Sequence, residues 1–138
     1  MKIDEAIQEL RRRNHPPPLP VRLPTPGEVE TAEQRLGVQF HPDFLRYLME
    51  ASDISYSIFE PVTITRAESH TDLLRVAEKA WGRFDVPRDL LPICEHNADF
   101  YCMNPAGEIV FYSHNGWPST KWPSLADWIE DVWLEDFA

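Results

Sequence analysis

Three short runs of β-forming residues follow one another late in the chain, at Leu91–Cys94, Phe100–Met103 and Ile109–His114. The links between them, Glu95–Asp99 and Asn104–Gly107, have the length and composition of turns. Parallel strands would need a crossover of about a dozen residues or more, which these links cannot supply. The spacing therefore predicts an antiparallel meander.

Helical patterns precede and follow this meander. They begin near Ile3, Thr25, His41, Thr71 and Ser124. The second is the clearest, because Thr25 and Glu28 form a capping box and Gly37 supplies the stop. Helices, then strands with short links, then a closing helix indicate an α+β fold, an antiparallel meander sheet covered by helices.

A further extended segment is predicted between the third and fourth helices. Tyr56, Ile58, Val62 and Ile64 alternate with polar residues around Pro61. Because proline cannot donate to a sheet ladder, we expect this strand to lie at an edge or to carry a bulge.

The chain of 138 residues has the size of one domain with an N-terminal extension. Five prolines between Pro16 and Pro24 favour a polyproline-like arm. We assign residues 1–24 to an N-terminal helix and proline-rich arm, and residues 25–138 to the α+β domain. The PPPLP stretch is either a ligand for an aromatic-grooved domain or a tether packed on its own domain.

Charge and composition exclude several classes of protein. The net charge of -10 would repel nucleic acid. No apolar run is long enough to cross a membrane, and the acidic N-terminus does not resemble a signal peptide. Two cysteines are too few for a disulfide scaffold, so we expect a cytoplasmic protein.

The acidic excess is concentrated in the last third of the chain. Residues 94–138 contain eight acids and one base, Lys121. Such a run is either a solvated helix face or a surface that attracts a cationic partner.

Metal and enzymatic interpretations find little support in the spacing. Cys94, His96, Cys102 and His114 are all zinc-ligand types, but only the first two are close enough to form a ligand pair. A cysteine nucleophile with a histidine base, or Asp99 with Glu108 as a hydrolytic pair, would need a geometry that no recognisable motif indicates. We expect no catalytic residues, no cofactor and no metal.

Three blocks of the sequence resemble one known family, the SUKH superfamily of yeast cell-wall-synthesis regulators and bacterial immunity proteins. They are TPGEVETAEQRLGVQFHPDFLRYLMEASD, LLPICEHNADFYCMNPAGEIVFYSH and LADWIEDVW. Each is similar to the corresponding family pattern of apolar spacing and turns, and together they span roughly residues 25–134.

The resemblance implies a non-catalytic domain that acts by binding proteins, commonly toxins. A toxin nuclease carries a basic surface that an acidic inhibitor can cover, and the acidic last third of this chain fits such a mechanism. We therefore expect an immunity protein, a monomer or weak dimer, with steering carboxylates at Glu95, Asp99, Glu108, Asp127, Glu130 and Asp131. A regulatory or scaffold module that binds proteins through the proline-rich arm is the alternative.

Interface anchors are expected among aromatic residues. Trp117 and Trp122 lie in a Gly- and Pro-containing segment, where they either face a partner or cover their own core. His114, at the end of the third β run, is a further partner-binding candidate, because its protonation would reduce the local negative field.

Overall fold

The computed structural model describes residues 1–19, 21–113 and 120–135. The α+β fold is confirmed. The four leading helices are α1 (Ile3–Arg13), α2 (Pro26–Leu36), α3 (Pro42–Ala51) and α4 (Leu73–Arg83). The strands are β1 (Leu91–His96), β2 (Asp99–Met103), β3 (Ile109–Tyr112) and β4 (Thr120–Trp122). Helix α5 (Leu125–Trp128) follows and continues as a π-helical segment, Ile129–Trp133.

The helix starts follow from local capping chemistry. The Thr25 hydroxyl accepts a hydrogen bond from the Glu28 N–H, and the Glu28 carboxylate accepts one from the Thr25 N–H, as the sequence predicted. Gly37 ends α2 in the left-handed conformation, with φ 70°. His41 caps α3 with its imidazole, because Nδ1 accepts from the Asp43 N–H at 3.1 Å.

The sheet is antiparallel with strand order β1-β2-β3-β4, so the predicted meander is confirmed. Successive side chains point to opposite faces. On one face, the Phe100 ring contacts Phe84 at the end of α4, with centroids 5.5 Å apart. On the other, the Tyr101 ring contacts Trp128 of α5 at 5.2 Å. We call these sides the α4 face and the α5 face.

The strand predicted over Tyr56 to Ile64 is wrong. In the described part of the chain, this segment makes two isolated bridges and no ladder, Pro61 with Cys94 and Thr63 with Asp72. Ser57 adopts a positive φ of 60° and Pro61 has no N–H to donate, so a continuous ladder cannot form.

Helix α1 is part of the same core as the sheet. Ala6 and Leu10 are fully buried, and α1 packs mainly on α3. The Arg13 guanidinium donates to the Leu134 carbonyl at 3.0 Å, which joins the first helix to the end of the last. In the described part of the chain, no helix has the length and apolar character that crossing a bilayer requires.

Candidate protein-binding surface

The carboxylates proposed on the meander lie on two different faces of the sheet. Glu95 pairs across the strands with Phe100, which places it on the α4 face, where it accepts from Lys79 at 2.6 Å. Glu108, in the β2–β3 turn, lies 3.4 Å from Lys121. Both of these carboxylates have a lysine partner within the domain, which reduces their field at a distance.

Asp99 lies on the α5 face, because it precedes Tyr101 by two residues. It begins β2, whereas Glu108 lies beyond the other end of that strand, next to the pair Met103 and Ile109. Four residue steps of about 3.4 Å separate the two ends of β2, a distance of about 14 Å. Asp99 and Glu108 therefore cannot act together on one bond.

Two of the three predicted carboxylates on the closing helix have local partners. Asp127 belongs to the helix cap: its N–H donates to the Ser124 hydroxyl, and that hydroxyl contacts its carboxylate at 2.9 Å. Glu130 lies 3.4 Å from the amino group of Met1. Asp131 is exposed, and so is Glu135 farther along. Among the described residues neither of these two has an ion-pair partner.

Of the two predicted tryptophan anchors, only Trp122 lies among the described residues. Trp122 is half-buried in β4, a strand that the sequence did not predict, and its ring contacts Tyr101 with centroids 5.7 Å apart. It therefore lies on the α5 face with Asp99. His114 and Trp117 lie outside the described residues.

An aromatic cluster surrounds Tyr101, and it was not predicted from the sequence. Phe111 pairs directly with Tyr101 across β2 and β3, with ring centroids 5.1 Å apart. Phe59 contacts the same ring at 5.9 Å. The alternation within the β runs was the available signal, since it puts Tyr101 and Phe111 on one face once the register is known.

The hydrogen bonding of Glu108 shows how the turn uses its carboxylate. A hydrogen bond from the Asn104 amide at 2.9 Å, assisted by Lys121, lowers the pKa of Glu108. Asn104 Oδ1 also accepts from the N–H groups of Ala106 and Glu108. Glu108 therefore has a structural role in closing the β2–β3 turn.

The thiols are unsuited to nucleophilic chemistry. Cys94 and Cys102 are both 0% exposed. Burial raises the pKa of Cys94 to about 12 and that of Cys102 further, so both remain protonated at neutral pH. No group of three or more metal-ligating side chains occurs within residues 1–19, 21–113 and 120–135.

This geometry defines a class of protein: an acidic α+β domain with helices on both faces of a short antiparallel meander. The chain matches the SUKH_5 family model, described as "SMI1-KNR4 cell-wall", over residues 3–134. It therefore belongs to the SUKH superfamily, whose members are generally non-catalytic. The match includes α1, which the resemblance seen in the sequence did not cover.

A solved structure supports the same assignment. The crystal structure of a protein from Pseudomonas syringae pv. tomato is 37% identical to this chain, with a TM-score of 0.90. The similarity covers 96% of this chain and 98% of that one. No curated protein matches the chain significantly.

Proposed function

We propose that this chain is a non-enzymatic, cytoplasmic immunity protein that binds a toxin domain and neutralises it through an acidic interface. The observation that carries the proposal is the charge asymmetry, since eight acids and one base occupy residues 94–138. A cationic partner such as a nuclease would be attracted by this field, and binding would cover its active site.

The proposal depends most on the carboxylates that have no local partner among the described residues. Glu95, Glu108 and Asp127 are held by local partners, so we assign long-range attraction chiefly to Asp131, in the closing helix, and to Glu135, just after it. Both are exposed, and charges at the rim of an interface act mainly on the association rate.

Co-expression tests the function directly. The protein encoded by the neighbouring open reading frame would be expressed alone and together with this chain, and cell growth would be scored. We expect growth arrest in the first case and rescue in the second. Toxicity that persists at matched expression would contradict the proposal.

The role of charge is tested with two matched double variants. Asp131→Asn with Glu135→Gln removes one charge from the closing helix and one from the turn just after it. Glu30→Gln with Glu78→Gln removes two exposed charges from α2 and α4. We expect the first variant to slow association severalfold at low salt, and the difference to shrink as added salt screens the field. If both double variants changed the association rate equally, the closing helix would not be part of the interface.

A regulatory or scaffold module is the second candidate, and the proline-rich arm favours it. Leu19 is 75% exposed, and Pro16 and Pro18 are exposed beside it. Leu19→Ala tests this alternative without removing α1. Partner binding lost in this variant, with no rescue of toxicity by the parent chain, would favour the scaffold function.

A further inference from the structure

The α5 face carries aromatic side chains that the domain buries only in part. We define the aromatic patch as Tyr101, Phe111 and Trp122, which are all half-buried. Tyr101 is central, with its ring centroid 5.1 Å from that of Phe111 and 5.7 Å from that of Trp122. Aromatic rings combine a large apolar surface with a negative face, and aromatic residues are enriched where interfaces gain most of their energy.

One carboxylate lies on the same face as this patch, and a second lies in the helical segment that follows Trp128. Asp99 lies on the same face of β2 as Tyr101. The two residues are two positions apart, which puts their Cα atoms about 7 Å apart. Asp131 lies three residues after Trp128, whose ring contacts Tyr101 at 5.2 Å, and it is exposed. Aromatic rings with nearby carboxylates favour a guanidinium group, which stacks on a ring and pairs with an acid.

The chain itself places a guanidinium group over an aromatic ring at two other places. The Arg88 guanidinium lies 4.1 Å from the centroid of the Trp81 ring, and that of Arg13 lies 5.7 Å from the centroid of Tyr56. Lysine is a poorer match, because its ammonium is compact and strongly hydrated.

We propose that the aromatic patch is the anchor site of this protein and that it binds an arginine-bearing segment of a cationic partner protein. The inference deepens the proposed function and rests on it, since it names the part of the surface that the toxin would contact. Steering by the closing helix would bring the partner close, and the patch would slow its dissociation.

The test uses the full chain labelled with ¹⁵N and a capped octapeptide of alternating glycine and arginine, with the glycine-lysine peptide as its match. We expect chemical-shift changes at Tyr101, Phe111 and the Trp122 indole N–H, larger with arginine than with lysine. Shifts confined to other surfaces, or equal shifts with the two peptides, would overturn the inference.

Two neighbouring residues of β3 supply the control. Phe111→Leu keeps the apolar bulk but removes the ring, whereas Tyr112→Leu makes a similar change on the opposite face. Melting temperatures would establish that both variants fold. We expect Phe111→Leu to weaken peptide binding about tenfold and Tyr112→Leu to leave it unchanged. The reverse order would overturn the inference.

The neighbouring open reading frame separates the two proposals. If the Phe111→Leu variant binds and neutralises the protein encoded by that reading frame as well as the parent chain does, the proposed anchor site is wrong and the immunity function stands. If that product is harmless or unbound, while the arginine peptide binds at the patch, the immunity function is wrong and the arginine site stands.

Discussion

Gly107, in the β2–β3 turn, lies against the imidazole of His41 at the start of α3. A Cβ at Gly107 would come 2.8 Å from His41 Cε1 and 2.9 Å from Cδ2. Gly107 also has a φ of +89°, which other residues rarely adopt. The imidazole is held from its other side, since Nδ1 accepts from the Asp43 N–H.

We expect Gly107→Ala to lower the free energy of unfolding by about 2 kcal/mol, because it adds both backbone strain and a steric clash. Urea denaturation measures the loss. In a His41→Ala background the clash disappears, so the cost of Gly107→Ala should fall there. An equal cost in both backgrounds would show that His41 does not restrict the turn.

Gly82 supplies the contrast within α4. A Cβ there would meet nothing within 4 Å, and the backbone has no positive φ. We expect Gly82→Ala to stabilise the protein by about 0.5–1 kcal/mol, because alanine favours the helix more than glycine does. A loss of stability in the same denaturation series would contradict this expectation.

Arg13 connects the two ends of the fold, whereas its neighbour Arg12 does not. The Arg13 guanidinium donates to the Leu134 carbonyl at 3.0 Å and to the Tyr56 hydroxyl at 3.3 Å. Within residues 1–19, 21–113 and 120–135, the one side chain that Arg12 pairs with is Glu9, on the exposed side of α1. In thermal or urea unfolding, we expect Arg13→Ala to cost about 1–3 kcal/mol and Arg12→Ala to cost clearly less, because solvent screens the exposed Arg12 pair. Similar losses in both variants would contradict the connecting role.

Local chemistry made much of the fold predictable. Thr25, Glu28 and Gly37 fix the ends of α2 through hydrogen bonds within a few residues, and the turn-length links fix the antiparallel order of β1 to β3. The strand predicted around Pro61 was wrong because burial does not alternate from one residue to the next in this segment. Val62 and Thr63 are both buried, and they donate to different partners, Ile93 and Thr71.

The site was less predictable, because it depends on which face each strand residue takes. Glu95 and Asp99 are close in sequence, yet β1 turns one toward α4 and the β2 register turns the other toward α5. Tyr101 and Phe111 become neighbours only through the pairing of β2 with β3. Their chemistry was visible in the sequence, but the long-range contact was not.

The buried thiols should be inert in the native protein. Because Cys94 and Cys102 are 0% exposed and burial raises the pKa of Cys94 to about 12, we expect neither to react with Ellman's reagent at pH 8. Both should react once urea unfolds the chain. Fast labelling of one thiol without unfolding would show that a reactive thiolate is accessible.

Glu28 should make stability depend on acid pH. The Arg22 guanidinium first, and then the Thr25 N–H, lower the pKa of Glu28 from 4.5 to about 2. Because the folded-state pKa is the lower one, the stabilisation is complete above about 4.5 and is lost as pH falls towards 2. Glu28→Gln should therefore be less stable than the parent at pH 7, and the difference in urea midpoint should shrink between pH 4.5 and 2.

Glu30→Gln is the matched control for this acid dependence. Glu30 is exposed on the same helix, and no described residue forms an ion pair with it. The variant should therefore remain close to the parent over the whole range, because it removes a carboxylate without removing a partner. Arg22→Ala should reproduce most of the Glu28→Gln behaviour, since it removes the largest cause of the lowered pKa. If the Glu28→Gln difference stays constant down to pH 2, the pair of Arg22 and Glu28 does not contribute to the stability of the fold.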